Sequence, residues 1–559
     1  MSLTLAQRAA VGTVARNVIV VGSAGSRKTA TLVARLAYLA ERGADLGRAA
    51  VITYTNAAAK VVAERLANYV PTALGYCGTL HGFCLRHLQR FVYPTVELRV
   101  IDDVERNGRL LRAAKEAGVG ATLKQLLDYK MKTITGGLRY GTPVHIAVCK
   151  YHTDALFEGL LDYEMILGMA QRALAVQSNE RWKWDHLLVD EFQDASALDA
   201  MIYQLTAADN RFYVGDPMQA IFAFRGGDVS EFRRLIADSF WEKHYLMDNW
   251  RSTPEICAAA SRLTVRADAG LVAGMVSLLP PGPEPHSRGF PNAADEALNV
   301  ADWLRRLVEH GEAPASMAVL ARTNDIAATV AGMLRHVGVE VQQFRDREYP
   351  TDWMRALAAL GVLARPESVP SLIRWARVND PSYNAFYTAM MQSGDALKTF
   401  AVKTSVPLTG DADKMPVELA ALGCSSESIA LIVSRFWELP DTADLADLEL
   451  DLTLNGPGRQ LDGTGVFVGT IHSAKGMEWE TVVLAGAEDE AMPGTGKRRD
   501  EAEERRVFYV GVTRAKRRLL VTWSARRSWG PVPGKAEGTW SSQPRSPSRF
   551  ITEALTGEE

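Results

Sequence analysis

At 559 residues the chain is too long for one compact core, and about four structural units are expected of it. With 47% hydrophobic and 23% charged residues it reads as globular, and a formal net charge of −3 excludes a global positive field, so any nucleic-acid surface has to be a local stripe. Five scattered cysteines, Cys77, Cys84, Cys149, Cys257 and Cys424, never form a CxxC pair and suggest neither a disulfide framework nor a zinc or iron–sulfur site; no apolar run is long enough to span a bilayer and no leader pattern opens the chain, so a cytoplasmic protein is expected.

In chain order, the first informative stretch is NVIVVGSAGSRKTATLVARLAYLAERG, residues 17 to 43. Val18 to Val21 are uniformly apolar, as a parallel strand covered on both faces requires, and Leu32, Leu36 and Leu39 recur at helical spacing until Gly43. A strand, a glycine-containing turn and a helix predict a nucleoside triphosphate site at a helix N-terminus, where backbone N–H groups and the dipole favour anions. Gly22, Ser23, Ala24, Gly25, Ser26, Arg27, Lys28 and Thr29 are its candidate lining, with Lys28 reaching the terminal phosphates and Thr29 ligating magnesium. Arg27 stands where GxxxxGK[ST] has glycine. If that position needs a positive φ, its side chain costs roughly 1–2 kcal/mol, and Arg27 either weakens nucleotide binding or supplies an extra phosphate contact.

Residues 84 to 150 carry 12 Lys and Arg against 6 Asp and Glu, and Lys130, Lys132, Arg139 and Lys150 interleave with Tyr129, Tyr140 and Tyr151. That is the composition of a strand-binding face, or of a solvated basic surface. Next, HLLVDEFQDASALDAMIYQL at 186 to 205 is an apolar strand whose C-terminal edge bears Asp190, Glu191, Gln193 and Asp194. Beside a phosphate-binding loop, Asp190 is assigned to the metal and Glu191 to the attacking water. RFYVGDPMQAIFAFRGGD at 211 to 228 places Gln219 to sense the γ-phosphate, and Phe222 and Phe224, ahead of Arg225, to stack on bases. LLPPGPEPHSRGFPN at 278 to 292 reads as a crossover linker. The acidic run at 437 to 451 reads as a solvated helix surface, and the turn-rich segment after Trp523 as an exposed loop before a short terminal element, or as a disordered tail.

Taken together, this ordered series resembles the superfamily one helicases of the UvrD/Rep family. LTLAQRAAV is similar to that family's adenine-reading motif and points to Gln7; VITYTNAAAKVVAERL and GTLHGFCLRHL resemble its two single-strand-binding motifs, with Tyr54, Thr55, Asn56 and His81 as contacts. DNWRST implies that Arg251 reaches the γ-phosphate and Trp250 stacks on adenine. MAVLARTN opens a second lobe. GTIHSAKGMEWETVVLAG is close to TxHxAKGLEF, implying strand contacts by Thr470 and His472 and nucleotide contact by Glu478, with Lys475 between them; EERRVFYVGVTRAKRRLLVTW makes Arg514 a second arginine finger.

The resemblance implies an α/β fold of two RecA-like P-loop motor domains with parallel sheets, each carrying an inserted, mainly helical accessory domain. Residues 1–83 with 186–278 form the first motor domain and 84–185 its insertion; 279–355 with 460–559 form the second and 356–459 its insertion, which is shorter than usual for the family. It further implies ATP and magnesium as cofactors, and 3′ to 5′ travel on single-stranded DNA and 3′-tailed duplex in repair, recombination or replication. Two readings remain beside it: a nucleotide- and DNA-sensing regulatory subunit of weak ATPase serving a partner nuclease in repair or anti-phage defence, or a repair protein, and a translocase that strips proteins without unwinding.

Overall fold

Apolar runs four to five residues long, bounded by glycine or polar turns, become buried parallel strands wherever helices cover both faces. In the computed structural model, which describes residues 3–70, 74–96, 98–101, 103–135, 141–176, 182–221, 229–267, 274–343, 415–421, 424, 429, 432, 464–494, 500–527 and 544–556, Asn17–Gly22 is such a strand (β1). It is followed by β2 (Ala49–Thr53) and β3 (Tyr76–Thr79). A short pair, β4 (Arg99–Val100) and β5 (Leu160–Leu161), lies within the helical segment that interrupts the sheet. β6 (Trp184–Val189), β7 (Ala208–Gly215) and β8 (Glu242–Leu246) then complete six strands in the order β3-β2-β6-β7-β1-β8. β9 (Asp248–Asn249) and β10 (Val276–Ser277) pair separately.

A second six-stranded sheet contains β11 (His286–Phe290), β12 (Met317–Ala321), β13 (Val341–Gln343), β14 (Val466–Thr470), β15 (Trp479–Ala485) and β16 (Ala515–Ser524), in the order β11-β16-β15-β12-β14-β13. Neighbouring strands in both sheets run parallel, as in Val18 opposite Phe212 and Val319 opposite Val483. Parallel pairing requires helical crossovers, so all strands of a sheet present their carboxyl ends to one edge. The Lys28–Glu41 helix packs Leu32, Val33 and Leu36 against Val18 and Val20, and the 293–309 and 324–336 helices do the same for one face of the second sheet. Between the sheets, the Pro254–Ala267 and Glu501–Val512 helices share one apolar cluster, Ile256, Ala260 and Leu263 packing with Val507, Phe508 and Val510.

One expectation needs correction here. The span 278–292 is not all linker, because His286–Phe290 is an edge strand paired with Leu520–Ser524 of β16. After Trp523 the chain does reach a short terminal helix, Arg549–Leu555, anchored by fully buried Phe550.

The described residues fall into two compact units, divided after Leu80 and again at Asn179, with both six-stranded sheets in the first. The helices Asp103–Glu116, Leu123–Thr135, Pro143–Phe157 and Tyr163–Val176 belong to the second. There the supposed strand-binding residues are used otherwise. Lys130 is buried and donates to Asp162 at 2.9 Å and Glu164 at 2.7 Å, while buried Tyr151 donates to Asp162 as well. Lys150 pairs with Glu116 and Asp154 at 3.0 Å each. Arg139 and Tyr140 lie outside the described residues, as does nearly all of the second insertion, 356–459.

Truncating Lys130 strands a buried carboxylate, so Lys130→Ala should cost about 3–5 kcal/mol in urea denaturation, against little for Lys132→Ala. The same unit should be acid-sensitive. Burial pushes the His87 imidazole down to about 4, and burial with the charges of Lys130 and Arg172 does the same to His152. Unfolded imidazoles titrate near 6.5, so the unfolded chain binds more protons between those values. Stability is complete above about pH 6.5 and falls as pH drops toward 4, by about 1–2 kcal/mol per histidine at pH 5, measurable as a lower urea midpoint.

Candidate active site

Three carboxyl ends of the first sheet meet at one place. β1 delivers the glycine loop and Lys28, β6 delivers Asp190 and Glu191, and β7, which lies between them, delivers Asp216. In the loop, Gly25 is left-handed at φ 76°, and a Cβ there would come within 2.9 Å of the Asn249 and Arg251 side chains. Arg27 is left-handed too, at φ 59° and ψ 42°, so the position does demand what glycine supplies freely. Its guanidinium lies 4.0 Å from the ring centroid of Trp250, a cation–π contact on the ring expected to stack on adenine. The Trp250 backbone N–H donates to the Gly25 carbonyl at 3.1 Å. Gln7 is buried and spans from the Thr4 backbone N–H to the Ser26 carbonyl, which its amide reaches at 3.2 Å.

Lys28 points into the loop. It donates to the carbonyls of Gly22 at 3.1 Å and Ser23 at 3.3 Å, with the Asp216 carboxylate 4.0 Å away. Thr29 donates to Asp190 at 2.8 Å. Burial and the neighbouring Glu191 charge push the Asp190 carboxyl up, against the Thr29 hydrogen bond and Lys28. Burial also pushes Glu191 upward, but Lys28, Lys475, a hydrogen bond from Gln193 and Arg514 outweigh it and hold that carboxyl low. Of the pair, Glu191 is thus the carboxyl held more firmly in its anionic form. It also takes a left-handed backbone, φ 54°, and two strained non-glycine residues therefore face one site. Buried Gln193 bridges Glu191 and the Asp216 backbone N–H, and Gln219 donates to the Asp216 carboxylate at 2.7 Å.

The second sheet supplies the opposite wall. Arg514 is 1% exposed and donates to the carbonyls of Val510 and Met477, the Thr513 hydroxyl and the Gln219 side-chain oxygen, the last at 3.3 Å. Burial, and then the like charge of Arg251, lowers its guanidinium to about 9. Arg251 itself donates to Glu478 at 2.6 Å and to the Thr513 carbonyl at 3.1 Å. Glu478, expected at the nucleotide, is here the partner of Arg251 and of Lys516. Lys475 donates to Asp194 and to the Gln219 carbonyl.

Asp216, Asn249 and Tyr509 belong to the site without having been singled out from sequence. Asn249 holds the loop through the Ala24 carbonyl at 2.8 Å and accepts from the Arg251 and Ser252 backbones, each at 2.8 Å. The Tyr509 hydroxyl, from the second sheet's helix, accepts the Ala24 N–H at 3.4 Å and lies 3.5 Å from Asp216. The strand ending Gly215-Asp216-Pro217 was the one available signal, an acid at the edge next to β1.

The expected strand contacts are more dispersed. Tyr54 is 40% exposed at the end of β2, Thr55 caps the Asn56–Ala67 helix by accepting the Ala58 N–H, and Thr470 accepts the Ser473 N–H in the turn that holds His472. His81 stands edge-on to Tyr163 in the second unit. Phe222, Phe224 and Arg225 lie outside the described residues.

A phosphate-binding loop on one parallel sheet, with a second parallel sheet presenting Arg514 to it, defines a protein of two RecA-like domains. Residues 3–135 and 120–239 match the UvrD/REP helicase N-terminal domain, residues 443–526 match the UvrD-like helicase C-terminal domain, and the chain belongs to the UvrD/Rep helicase family. It is 26% identical to the ATP-dependent DNA helicase UvrD1 of Mycobacterium tuberculosis over 94% of this chain and 82% of that protein. It is likewise 26% identical to UvrD2 of the same species, over 98% and 80%, and 24% identical to PcrA of Staphylococcus aureus, over 98% and 85%.

Arg27→Gly removes both the left-handed penalty and the cover on Trp250. Binding of ATP, followed by tryptophan fluorescence, should tighten several-fold in this variant; unchanged affinity would show that Arg27 does not compete for the ring.

Proposed function

We propose that the chain is an ATP-dependent motor that moves 3′ to 5′ along single-stranded DNA and unwinds duplex, its nucleotide held at the seam of the two sheets. One observation supports this above others: Lys28 from the first sheet and Arg514 from the second converge on Asp216 and Gln219, yet among the described residues neither donates a hydrogen bond to a carboxylate, Asp216 lying 4.0 Å from Lys28. Desolvated cations held by neutral dipoles are suited to a polyanion. The division into two motor lobes and two insertions is part of the same proposal.

In this reading Gln7 and Trp250 take the base, residues 22–29 and Lys28 cradle the phosphates, and Arg251 and Arg514 reach the γ-phosphate from the far side. Thr29 and Asp190 would hold magnesium, two hard oxygen donors side by side, and that ion neutralises phosphate charge when bound. Glu191, kept anionic by its cationic neighbours, takes the proton of the attacking water, with Gln193 fixing its orientation and Gln219 sensing the γ-phosphate. Because Arg514 comes from the other sheet, hydrolysis is complete only with the lobes closed, which couples chemistry to movement of a strand along Tyr54, Thr55, Asn56, His81, Thr470 and His472. The strained Arg27 over Trp250 favours a slow motor, and so keeps a sensing role in view.

Steady-state ATP hydrolysis with and without single-stranded DNA tests the assignment. Lys28→Ala and Glu191→Gln should each lose about 10²-fold or more of the strand-stimulated rate while keeping wild-type melting temperatures. Turnover undiminished in both would overturn the site.

A further inference from the structure

Lys475 sits among residues assigned to DNA and nucleotide but is given neither role above. From the proposed reading that strand and nucleotide occupy the two ends of its loop, we propose that Lys475 is the positioning residue that connects them: its ammonium carries strand occupancy from the second sheet to the hydrolytic edge of the first.

The geometry is a plug in a socket. Nζ lies 2.7 and 2.5 Å from the two oxygens of Asp194 and 2.8 Å from the Gln219 carbonyl. The Asp194 side chain is 1% exposed and that of Lys475 11%. Both socket residues adjoin the chemistry: Asp194 closes the short turn that begins after Glu191, and Gln219 presents its side chain to Asp216 and Arg514. The socket belongs to the first sheet and the plug to the second, so separating them leaves a buried carboxylate unpaired, at a large cost.

The loop bearing the plug has little slack. Ile471 and Ala474 are fully buried in the shared core, the Ala474 N–H donates to the Thr470 carbonyl at 3.1 Å, and Ser473 is tied to Thr470 through both its N–H and its hydroxyl. Gly476 turns left-handed at φ 86°, and Glu478 then grips Arg251. Thr470 and His472 are thus separated from Lys475 by about one tight turn, and a displacement at the strand end moves the ammonium with respect to Asp194 and Gln219. A positive charge in this loop would ordinarily be read as a phosphate contact; here it is consumed by the opposite lobe.

The test uses the full chain. Lys475→Met should lower the stimulation of ATP turnover by a single-stranded oligonucleotide about 10-fold. The affinity for the same labelled oligonucleotide by anisotropy should stay within about twofold, since no strand contact is assigned to this side chain, and the ratio of stimulated to unstimulated rate is the readout because Lys475 also contributes to the field at Glu191. Adding Asp194→Asn should restore the melting temperature, because no charge is left buried alone, without restoring stimulation. Retained stimulation in Lys475→Met, or a loss matched by equal loss of strand affinity, overturns the proposal, the latter by making Lys475 a direct contact. Hydrogen exchange needs no strand: amides at 192–194 and 217–221 should exchange faster in Lys475→Met, and equal exchange also overturns it. Wild-type ATPase indifferent to DNA would instead count against the functional reading.

Discussion

A guanidinium held in the interior with no carboxylate partner among the described residues is the constraint on which the rest of the structure depends. Arg514 spends its hydrogen bonds on two carbonyls, a hydroxyl and the Gln219 amide. Burying a cation this way is unfavourable unless the surroundings supply compensating dipoles or charge, and here they do so by forcing two lobes together. Gln219 passes the contact to Asp216, Asp216 faces Lys28, and Tyr509 joins the same carboxylate to the backbone of the loop. The seam is therefore one polar network shared between sheets. Ser252, Thr253 and Arg506 add hydrogen bonds to backbone on the opposite side, and the 254–267 and 501–512 helices close it with apolar packing.

Two of the three left-handed non-glycine residues among those described sit where the chemistry is assigned, the third being Glu490. Arg27 and Glu191 both adopt left-handed backbones that cost side-chain-bearing residues roughly 1–2 kcal/mol each. Glu191 needs that turn to leave β6 and face Lys28 while Asp190 stays against Thr29; the two adjacent carboxyls are thereby placed in different fields and pushed in opposite directions. Arg27 has no comparable partner in the network. Among the described residues its side chain lies on the face of Trp250, so the cost of the arginine and this contact concern the same ring.

Much of this was legible in the chain itself, for physical reasons. β1, β6 and β7 are apolar runs ending in glycine or acid, and parallel topology sends all three ends to one edge, so Lys28, Thr29, Asp190 and Glu191 had to meet. Edge strand β11 was hidden because it is exposed along most of its length and spelled His-Ser-Arg-Gly-Phe, a composition no different from a linker. Lys130 and Tyr151 were misleading in the opposite sense: their spacing suits a phosphate-tracking face, and only the tertiary approach of Asp162, between β5 and the Tyr163–Val176 helix, turns them into an interior pair. Asp216 and Tyr509 act through distances of hundreds of residues along the chain, beyond what any local pattern encodes.

The shared seam is tested most directly by Arg514→Lys, which keeps the charge but removes the planar fork. ATP binding at equilibrium should stay near wild type, because the loop and Lys28 are untouched, while single-turnover hydrolysis on DNA should fall about 10³-fold or more. A variant that binds ATP normally and hydrolyses it at the wild-type rate would contradict a site completed by the second sheet.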